Sequence, residues 1–187
     1  MLTNINEWNF NFESLPYWDN RNTHWNARDM LYENEQMDMA FVVYSIIETR
    51  MCFYEGFLAV LKNKQKPELL LNVTTGTFTE RKVVFSSDGK FAFMQSALWD
   101  KGWPVFVFDL STQQFACFKT VTTNLSFSVE EIDNSFIITA DKWQMEHDSN
   151  SGLRALDGTE IETNKLKWFP FEEINSFCRG LHINQST

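Results

Sequence analysis

The stretch KVVFSSDGKFAFMQSAL, at residues 82–98, is the clearest indicator of the fold in this sequence. Aromatic and β-branched residues on both sides of Asp88 and Gly89 predict two strands, and an Asp-Gly pair can take the positive φ angles of a tight turn. A second hairpin follows in VFVFDLSTQQFACFKTV, at residues 105–121, which turns through residues 111–114. Two adjacent hairpins predict antiparallel sheet.

Similar patterns continue in both directions from this centre. A third hairpin is predicted over residues 125–140, with its turn at Asp133 and Asn134, and a fourth around Asp157 and Gly158. From Ala40 to the central stretch, apolar runs alternate with short polar connections. Those connections are predicted at residues 48–50, 63–67 and 75–77.

A faint internal period of about 40 residues relates these segments, with runs of two hairpins opening at Phe41, Val83 and Leu125. The middle unit, with its SSDGK turn and a later FDLSTQQF, resembles a β-propeller blade. Three units fall short of the four or more blades of a closed propeller. The sequence therefore predicts a mainly β protein whose antiparallel hairpin repeats form an open propeller-like or sandwich sheet.

The two ends of the chain differ from this middle. Pro170 precedes apolar residues at helical spacing, with Glu172 and Glu173 in the first turn, and this pattern predicts a short helix over residues 170–182. Residues 1–39 are rich in Asn and aromatics, and only residues 23–37 show a weak helical pattern. We expect a single domain, residues 1–187, with hairpins over residues 40–169.

The net charge of −9 disfavours nucleic acid as a partner and favours a cationic one. Residues 1–40 carry a net charge of −5 and residues 125–187 a net charge of −6, whereas the chain between them is close to neutral. Lys62, Lys64 and Lys66 form the best basic cluster, and a compact hairpin tip explains it as well as a nucleic-acid groove does.

Compartment and cofactor signals are few. The N-terminus lacks the basic and small-residue pattern of a signal peptide, and no apolar run reaches the roughly 20 residues of a membrane helix. The three cysteines, Cys52, Cys117 and Cys178, are odd in number, far apart and in apolar surroundings, and we expect them to be buried thiols in a reducing compartment. We expect no metal, no cofactor and no membrane association.

Catalytic patterns are equally weak. His147, between Glu146 and Asp148, could bind a cation or act as a base, but a solvated loop accounts for this polar segment better. The sequence has no serine elbow and no glycine-rich phosphate loop, and its many carboxylates do not single out a pair. The sequence therefore does not indicate an enzyme.

Two aromatic segments are better candidates for protein binding. The connection LWDKGWP, at residues 98–104, contains Trp99, Asp100 and Trp103, and the segment DKWQMEHD, at residues 141–148, repeats the combination of Trp with acids. Tryptophans anchor interfaces because they bury a large area, and acids beside them attract Lys and Arg of a partner. Core tryptophans would explain the same pattern.

In its size, acidity and lack of a catalytic motif, the chain resembles the immunity proteins of bacterial contact-dependent growth inhibition systems. The resemblance implies a cytoplasmic protein, monomeric or dimeric when free, that binds and neutralises one cognate toxin domain, often a basic nuclease. The expected partner-binding residues combine the two aromatic segments with an acidic flank: Trp99, Asp100, Trp103, Glu130, Glu131, Asp133, Asp141, Trp143, Glu146 and Asp148.

Two alternatives belong to other classes. One is an enzyme whose site combines scattered carboxylates with His147. The other is an accessory or scaffold subunit of a larger assembly, which blade-like hairpins would suit.

Overall fold

The structure is a computed structural model. It describes residues 7–18, 29–48, 53–75, 83–95, 104–118, 127–132, 135–144, 153–161 and 165–183.

The first sheet has four antiparallel strands that neighbour one another in chain order. The segment AFVVY, at residues 40–44, is fully buried, and so are residues 57–61 on the next strand. Runs of consecutive apolar residues occur here because both faces of the sheet are covered. The strands are β1 (Asp29–Asn34), β2 (Met39–Glu48), β3 (Phe53–Lys62) and β4 (Glu68–Val73).

The second sheet has five antiparallel strands, in the order β12, β8, β7, β6 and β5. The short strand β12 enters from the C-terminal part of the chain and pairs Phe169 with Phe115. The strands are β5 (Val83–Phe85), β6 (Phe91–Gln95), β7 (Val105–Asp109), β8 (Gln114–Phe118) and β12 (Phe169–Pro170).

A third sheet and the C-terminal helix complete the described architecture. The sheet contains β9 (Phe127–Ile132), β10 (Ser135–Gln144) and β11 (Leu153–Ile161), with β10 in the centre. Helix α1 (Ile174–Ile183) follows directly after a 3-10 turn (Phe171–Glu173). No helix among the described residues is long and apolar enough to cross a membrane.

The first and second sheets pack face to face. Phe41 of β2 lies with its ring 5.7 Å from Phe108 of β7 and 5.6 Å from Phe85 of β5. Helix α1 closes one side of this core through Ile174 and Cys178, which are both fully buried. This central layer is the largest apolar cluster of the described chain.

The outer faces of the two sheets are also covered. Trp8, Leu15 and Trp18, from residues 7–18, pack on the free face of the first sheet, and we call this segment the N-terminal strap. Phe136 of the third sheet packs on the free face of the second, 4.9 Å from the ring of Phe93. The chain therefore stacks strap, first sheet, second sheet and third sheet.

The predicted mainly β fold with a short C-terminal helix is confirmed, and three of its hairpins are found where the sequence indicates. The predicted tight turn at Asp88 and Gly89 is wider than expected, because residues 86–90 separate the two strands. Only Gly89 within it has a positive φ, of 70°.

Two local predictions are wrong. Asp157 and Gly158 do not turn, because β11 continues through them and pairs them with Ala140 and Thr139 of β10. The weak helical pattern at residues 23–37 does not produce a helix over its described part, where β1 and the following turn lie instead. The first strand of the described residues therefore begins at Asp29, before the predicted start at residue 40.

Candidate protein-binding surface

Turns from the first sheet lie side by side at one end of the molecule. The β3–β4 turn, at residues 63–67, contacts the β1–β2 turn, at residues 35–38. The Asn63 N–H donates to the Asp38 carbonyl oxygen at 2.8 Å, and the Lys64 N–H donates to Asp38 Oδ1 at 3.0 Å. Asp38 and Asn63 both have positive φ, of 50° and 65°, a conformation that Asn and Asp tolerate better than most residues.

The turns of the second sheet continue this surface. Asn34 Nδ2 donates to the Gly89 carbonyl oxygen at 2.7 Å, and the Leu110 N–H donates to the Lys90 carbonyl oxygen at 2.8 Å. These bonds link the four turns in a row. We call the surface they form the turn end, and it comprises residues 35–38, 63–67, 86–90 and 110–113.

The carboxylate of Glu33 joins the N-terminal strap to the turn end. Its Oε1 accepts hydrogen bonds from the Trp8 indole at 2.6 Å and from Lys64 Nζ at 2.8 Å. Lys64 Nζ also lies 3.1 Å from Glu7 Oε2. The hydrogen bonds to Glu33 and then to Glu7 raise the pKa of Lys64 above its ordinary value, so this ammonium is charged at neutral pH.

A cavity of about 220 Å³ opens beside this ion pair. Three carboxylates line it against one ammonium, while an indole and a thioether supply apolar wall. Small-molecule sites are commonly larger, roughly 300–1,000 Å³, so this cavity suits a single side chain better than a small ligand. The lining residues are Trp8, Glu33, Asn34, Glu35, Asp38, Met39 and Lys64.

Asp88 is a further acid of the turn end. Its Oδ1 accepts from the Lys90 N–H at 3.0 Å and from the Ser86 hydroxyl at 2.8 Å, and Lys90 Nζ lies 3.1 Å from Oδ2. The hydrogen bond from the Lys90 backbone is the main reason that the pKa of Asp88 is lowered. This carboxylate therefore stays ionised to a lower pH than an ordinary aspartate.

The N-terminal strap presents an acidic outer side next to the turn end. Trp8, Phe10 and Phe12 face the sheet or are partly covered, whereas Glu7 and Glu13 are exposed. Residues 7–18 contain no lysine or arginine. The outer side of the strap and the turn end together carry five carboxylates and three ammonium groups, a net charge of −2: Glu7, Glu13, Glu35, Asp38 and Asp88 against Lys64, Lys66 and Lys90.

The predicted partner-binding residues fall partly on described strands. Glu130 and Glu131 lie in β9, and Asp141 and Trp143 lie in β10, whereas Trp99, Asp100, Trp103, Asp133, Glu146 and Asp148 lie outside the described residues. The first half of the segment at residues 141–148 belongs to β10.

The register of the third sheet separates two parts of that predicted surface. Glu130 pairs with Ile137, which precedes Trp143 by six positions along β10. At about 3.3 Å per residue this spacing is roughly 20 Å. Glu130 and Trp143 therefore lie toward opposite ends of β10, and one partner must span both ends to contact the two of them.

No three His, Cys, Asp or Glu side chains of the described residues come together as metal ligands would. Cys178 is buried in the core and Cys117 is partly buried, and neither is disulfide-bonded. Cys52, His24 and His147 lie outside the described part of the chain.

Sequence reasoning missed the turn end and the strap. One available signal was the alternation in EWNFNF, at residues 7–12, where every second residue is aromatic. That period of two marks one covered and one exposed side of an extended segment. The contact of Glu33 with Lys64, which are 31 residues apart, left no local signal in the sequence.

Comparison with protein-family models, with curated proteins and with solved structures gave no match.

Proposed function

We propose that this chain is an immunity protein that binds one cognate bacterial toxin domain, a basic nuclease, and neutralises it in the cytoplasm of the producing cell. The observation that carries the proposal is the net charge of −9 on a chain of 187 residues. Opposite charges on two proteins accelerate their encounter and exclude partners of the wrong sign. The chain acts by binding in this proposal, without catalysis of its own.

The arrangement of the turn end supports this function. Glu35 and Asp38 are exposed at the mouth of the cavity, and Glu7 is exposed on the adjoining strap. The five acids of the strap and the turn end exceed their three lysines, Lys64, Lys66 and Lys90, by a net charge of −2. A basic surface that approaches this end meets the Asp38 carboxylate, which the Lys64 N–H already holds in place. Prior ordering of one partner lowers the entropic cost of association.

Aromatic anchors would supply most of the affinity, since electrostatic complementarity contributes more to the association rate than to the final affinity. The predicted anchors are Trp99, Trp103 and Trp143. The role of these tryptophans in binding stays a prediction. Their substitution leaves the charge of the chain unchanged, so it tests the anchors separately from the charge effect.

The test is capture followed by neutralisation. The tagged full chain is used as bait in cells of its source, and stoichiometric partners are identified by mass spectrometry. The captured protein is then expressed in a naive host with and without the chain. We expect a basic toxin domain that arrests growth alone and is silenced by co-expression.

A matched bait carries Glu7→Gln, Glu35→Gln and Asp38→Asn, which remove charge but keep side-chain volume. This bait should capture the partner less well at low salt than the wild type does. Capture of nucleic acid, or of a partner whose toxicity the chain does not relieve, contradicts the proposal.

A further inference from the structure

The N-terminal strap covers the first sheet without becoming part of it. Among the described residues the first sheet consists of β1–β4, and the strap adds no strand to it. Backbone N–H groups of the strap donate to its own carbonyl oxygens instead, from Leu15 to Phe12 at 3.0 Å and from Trp18 to Leu15 at 3.1 Å. The strap is therefore a layer of its own, joined to the sheet through side chains.

The packing between the first and second sheets does not include the strap. Val43 and Val60 belong to the apolar cluster between the two sheets, whereas Ala40 and Ala59 belong to the cluster beneath the strap. No strap residue belongs to the central cluster of the described chain. Detachment of the strap would therefore leave the packing between the two sheets in place.

The strap is also the weaker of these two layers. Its buried side chains are those of Trp8, Leu15 and Trp18, a smaller set than the one that the sheets bury against each other. In addition, Tyr17 has a φ of 66°, in the left-handed region that bulky residues rarely enter, so the docked strap carries backbone strain. Regions with less burial and more strain open at a lower free energy than the whole molecule unfolds.

One end of the strap is held by a polar network centred on Lys64. The Lys64 Nζ lies 2.8 Å from Glu33 Oε1 on β1 and 3.1 Å from Glu7 Oε2 on the strap, so it bridges the two elements. The Trp8 indole donates to the same oxygen of Glu33 at 2.6 Å. The side chains of Lys64 and Glu7 are 37% and 51% exposed, so dissolved ions screen their attraction.

The other end of the strap is held by aromatic contacts. The ring of Trp18 lies 5.2 Å from that of Tyr44, and the ring of Tyr17 lies 5.0 Å from that of Phe57. Screening by salt acts on charges and does not weaken apolar contacts. The Lys64 network is therefore the part of the attachment that ionic conditions control.

We infer that the N-terminal strap is a lid, which opens as a unit while the two sheets stay packed, and that the Lys64 network is its latch. Opening uncovers the apolar face of the first sheet around Ala40 and Ala59. The lid operates whatever partner the chain binds, because only contacts within the chain hold it shut.

The test places one new thiol on either face of β3 in the full chain. Ala59→Cys reports on the face beneath the strap and Val60→Cys on the face toward the second sheet, and both positions are fully buried. Each chain is labelled with methyl methanethiosulfonate at several urea concentrations. Mass spectrometry of peptides separates the new thiol from Cys52, Cys117 and Cys178.

Relative to the unfolded chain, the thiol of Ala59→Cys should react about ten-fold faster or more than that of Val60→Cys, because strap opening costs less than separation of the sheets. Its rate should also rise less steeply with urea, since strap opening exposes less surface than unfolding does. Equal rates with equal urea dependence would show that the strap opens only when the whole molecule unfolds, which would overturn the inference.

A second pair of thiols on β2 guards against a folding artefact. Ala40→Cys lies beneath the strap and Val43→Cys lies between the sheets, and both positions are buried. If Val60→Cys lowers the melting temperature, the β2 pair carries the comparison. The same order of rates is expected there.

The latch is tested by Lys64→Met in the Ala59→Cys chain. This substitution removes the ion pair with Glu7 and the hydrogen bond to Glu33, so labelling at residue 59 should be about two- to ten-fold faster. A rise in sodium chloride from roughly 0.05 M to roughly 0.5 M should accelerate labelling when Lys64 is present and have less effect when it is absent.

Lys62→Met is the matched control, because it removes the same charge from an exposed lysine that forms no ion pair with the described residues. It should leave labelling at residue 59 unchanged. Unchanged labelling in Lys64→Met, or equal acceleration by Lys62→Met, would remove the Lys64 network as the latch.

Discussion

The side chain of Asn34 lies between the first and second sheets and is only 4% exposed. Its Nδ2 donates to the Gly89 carbonyl oxygen at 2.7 Å, and its Oδ1 accepts from the Met37 N–H at 3.2 Å. Asn34→Ala should lower the free energy of unfolding by about 1–3 kcal/mol, because the Gly89 carbonyl oxygen loses a buried hydrogen bond and the Met37 N–H loses a partly buried one. Urea denaturation measures the difference.

Gln36→Ala is the control for this change, since the exposed Gln36 side chain donates to the Ser87 carbonyl oxygen at 3.1 Å across the same two turns. Water replaces that exposed bond, so the expected loss is below about 0.5 kcal/mol. Equal effects of the two substitutions would show that burial of Asn34 is not the source of its contribution.

The Tyr44 hydroxyl makes the stability of the fold depend on pH in the alkaline range. Burial, and secondarily the neighbouring Tyr17, raise the pKa of the Tyr44 hydroxyl well above its ordinary value. The unfolded chain loses this proton near pH 10 while the folded chain keeps it, so the contribution is complete below pH 10 and falls as pH rises further. The expected loss is roughly 1.4 kcal/mol per pH unit above about pH 10.

The measurement compares denaturant unfolding of the wild type and Tyr44→Phe between about pH 9 and pH 11. Every other titratable group is present in both proteins, so the difference between the two curves isolates Tyr44. The advantage of the wild type over the variant should shrink as pH rises, and parallel curves would argue against a raised pKa.

At the scale of elements, the β5–β6 hairpin depends on Gly89. Its φ is 70°, and a Cβ at this position would fall on Gln36 Oε1 and within 2.8 Å of Asn34 Oδ1. Gly89→Ala should therefore destabilise the fold by about 1–3 kcal/mol, through backbone strain and collision with the β1–β2 turn.

Gly180 offers a matched control within helix α1. A Cβ there would meet nothing within 4 Å. Gly180→Ala should stabilise the fold by about 0.5–1 kcal/mol, since alanine loses less backbone entropy in a helix than glycine does. Thermal unfolding of the two variants should shift in opposite directions, and shifts of the same sign would contradict the assigned roles.

Helix α1 also protects the edge of the first sheet. The carboxamide of Asn175 donates to the Asn72 carbonyl oxygen at 2.8 Å and accepts from the Thr74 N–H at 2.9 Å, as a neighbouring strand would. Asn175→Ala should lower the free energy of unfolding by about 1–2 kcal/mol. It should also accelerate hydrogen exchange at the Thr74 amide. The exposed neighbour substitution Ser176→Ala should change neither, and unaltered exchange at Thr74 in Asn175→Ala would refute the role.

At the scale of the whole molecule, the excess of negative charge predicts salt-dependent association with a basic partner. Reversal of charge at Asp141, Glu146 and Asp148 together should slow association with the captured toxin domain more at low ionic strength than at high. Stopped-flow or surface-based kinetics at two salt concentrations measure this. Unchanged rates at both concentrations would remove these three residues from the partner-binding surface.

Much of the fold could be predicted because its signals are local. Apolar runs flanking a turn at Asp88 and Gly89 or at residues 111–114, and helical spacing after Pro170, act over a few residues. In the two hairpins the neighbouring strand in sequence is also the neighbour in space, so the local pattern and the final structure agree.

The candidate surface could not be predicted in the same way. Glu33 meets Lys64, Asn34 meets Gly89 and Asn175 meets Thr74 across separations of 31, 55 and 101 residues. Pairs this distant depend on how the sheets stack, and stacking leaves no fixed spacing in a single sequence.

The acidic net charge, the hairpins and the terminal helix were thus determined by the sequence itself, because composition and short-range periodicity suffice for them. The straight course of β11 through Asp157 and Gly158 was decided by tertiary structure, since pairing with β10 along nine residues outweighs a local preference to turn. Tertiary structure also decided that the N-terminal strap covers the outer face of the first sheet. Which apolar face is buried, and by which segment, depends on contacts that only the folded chain brings together.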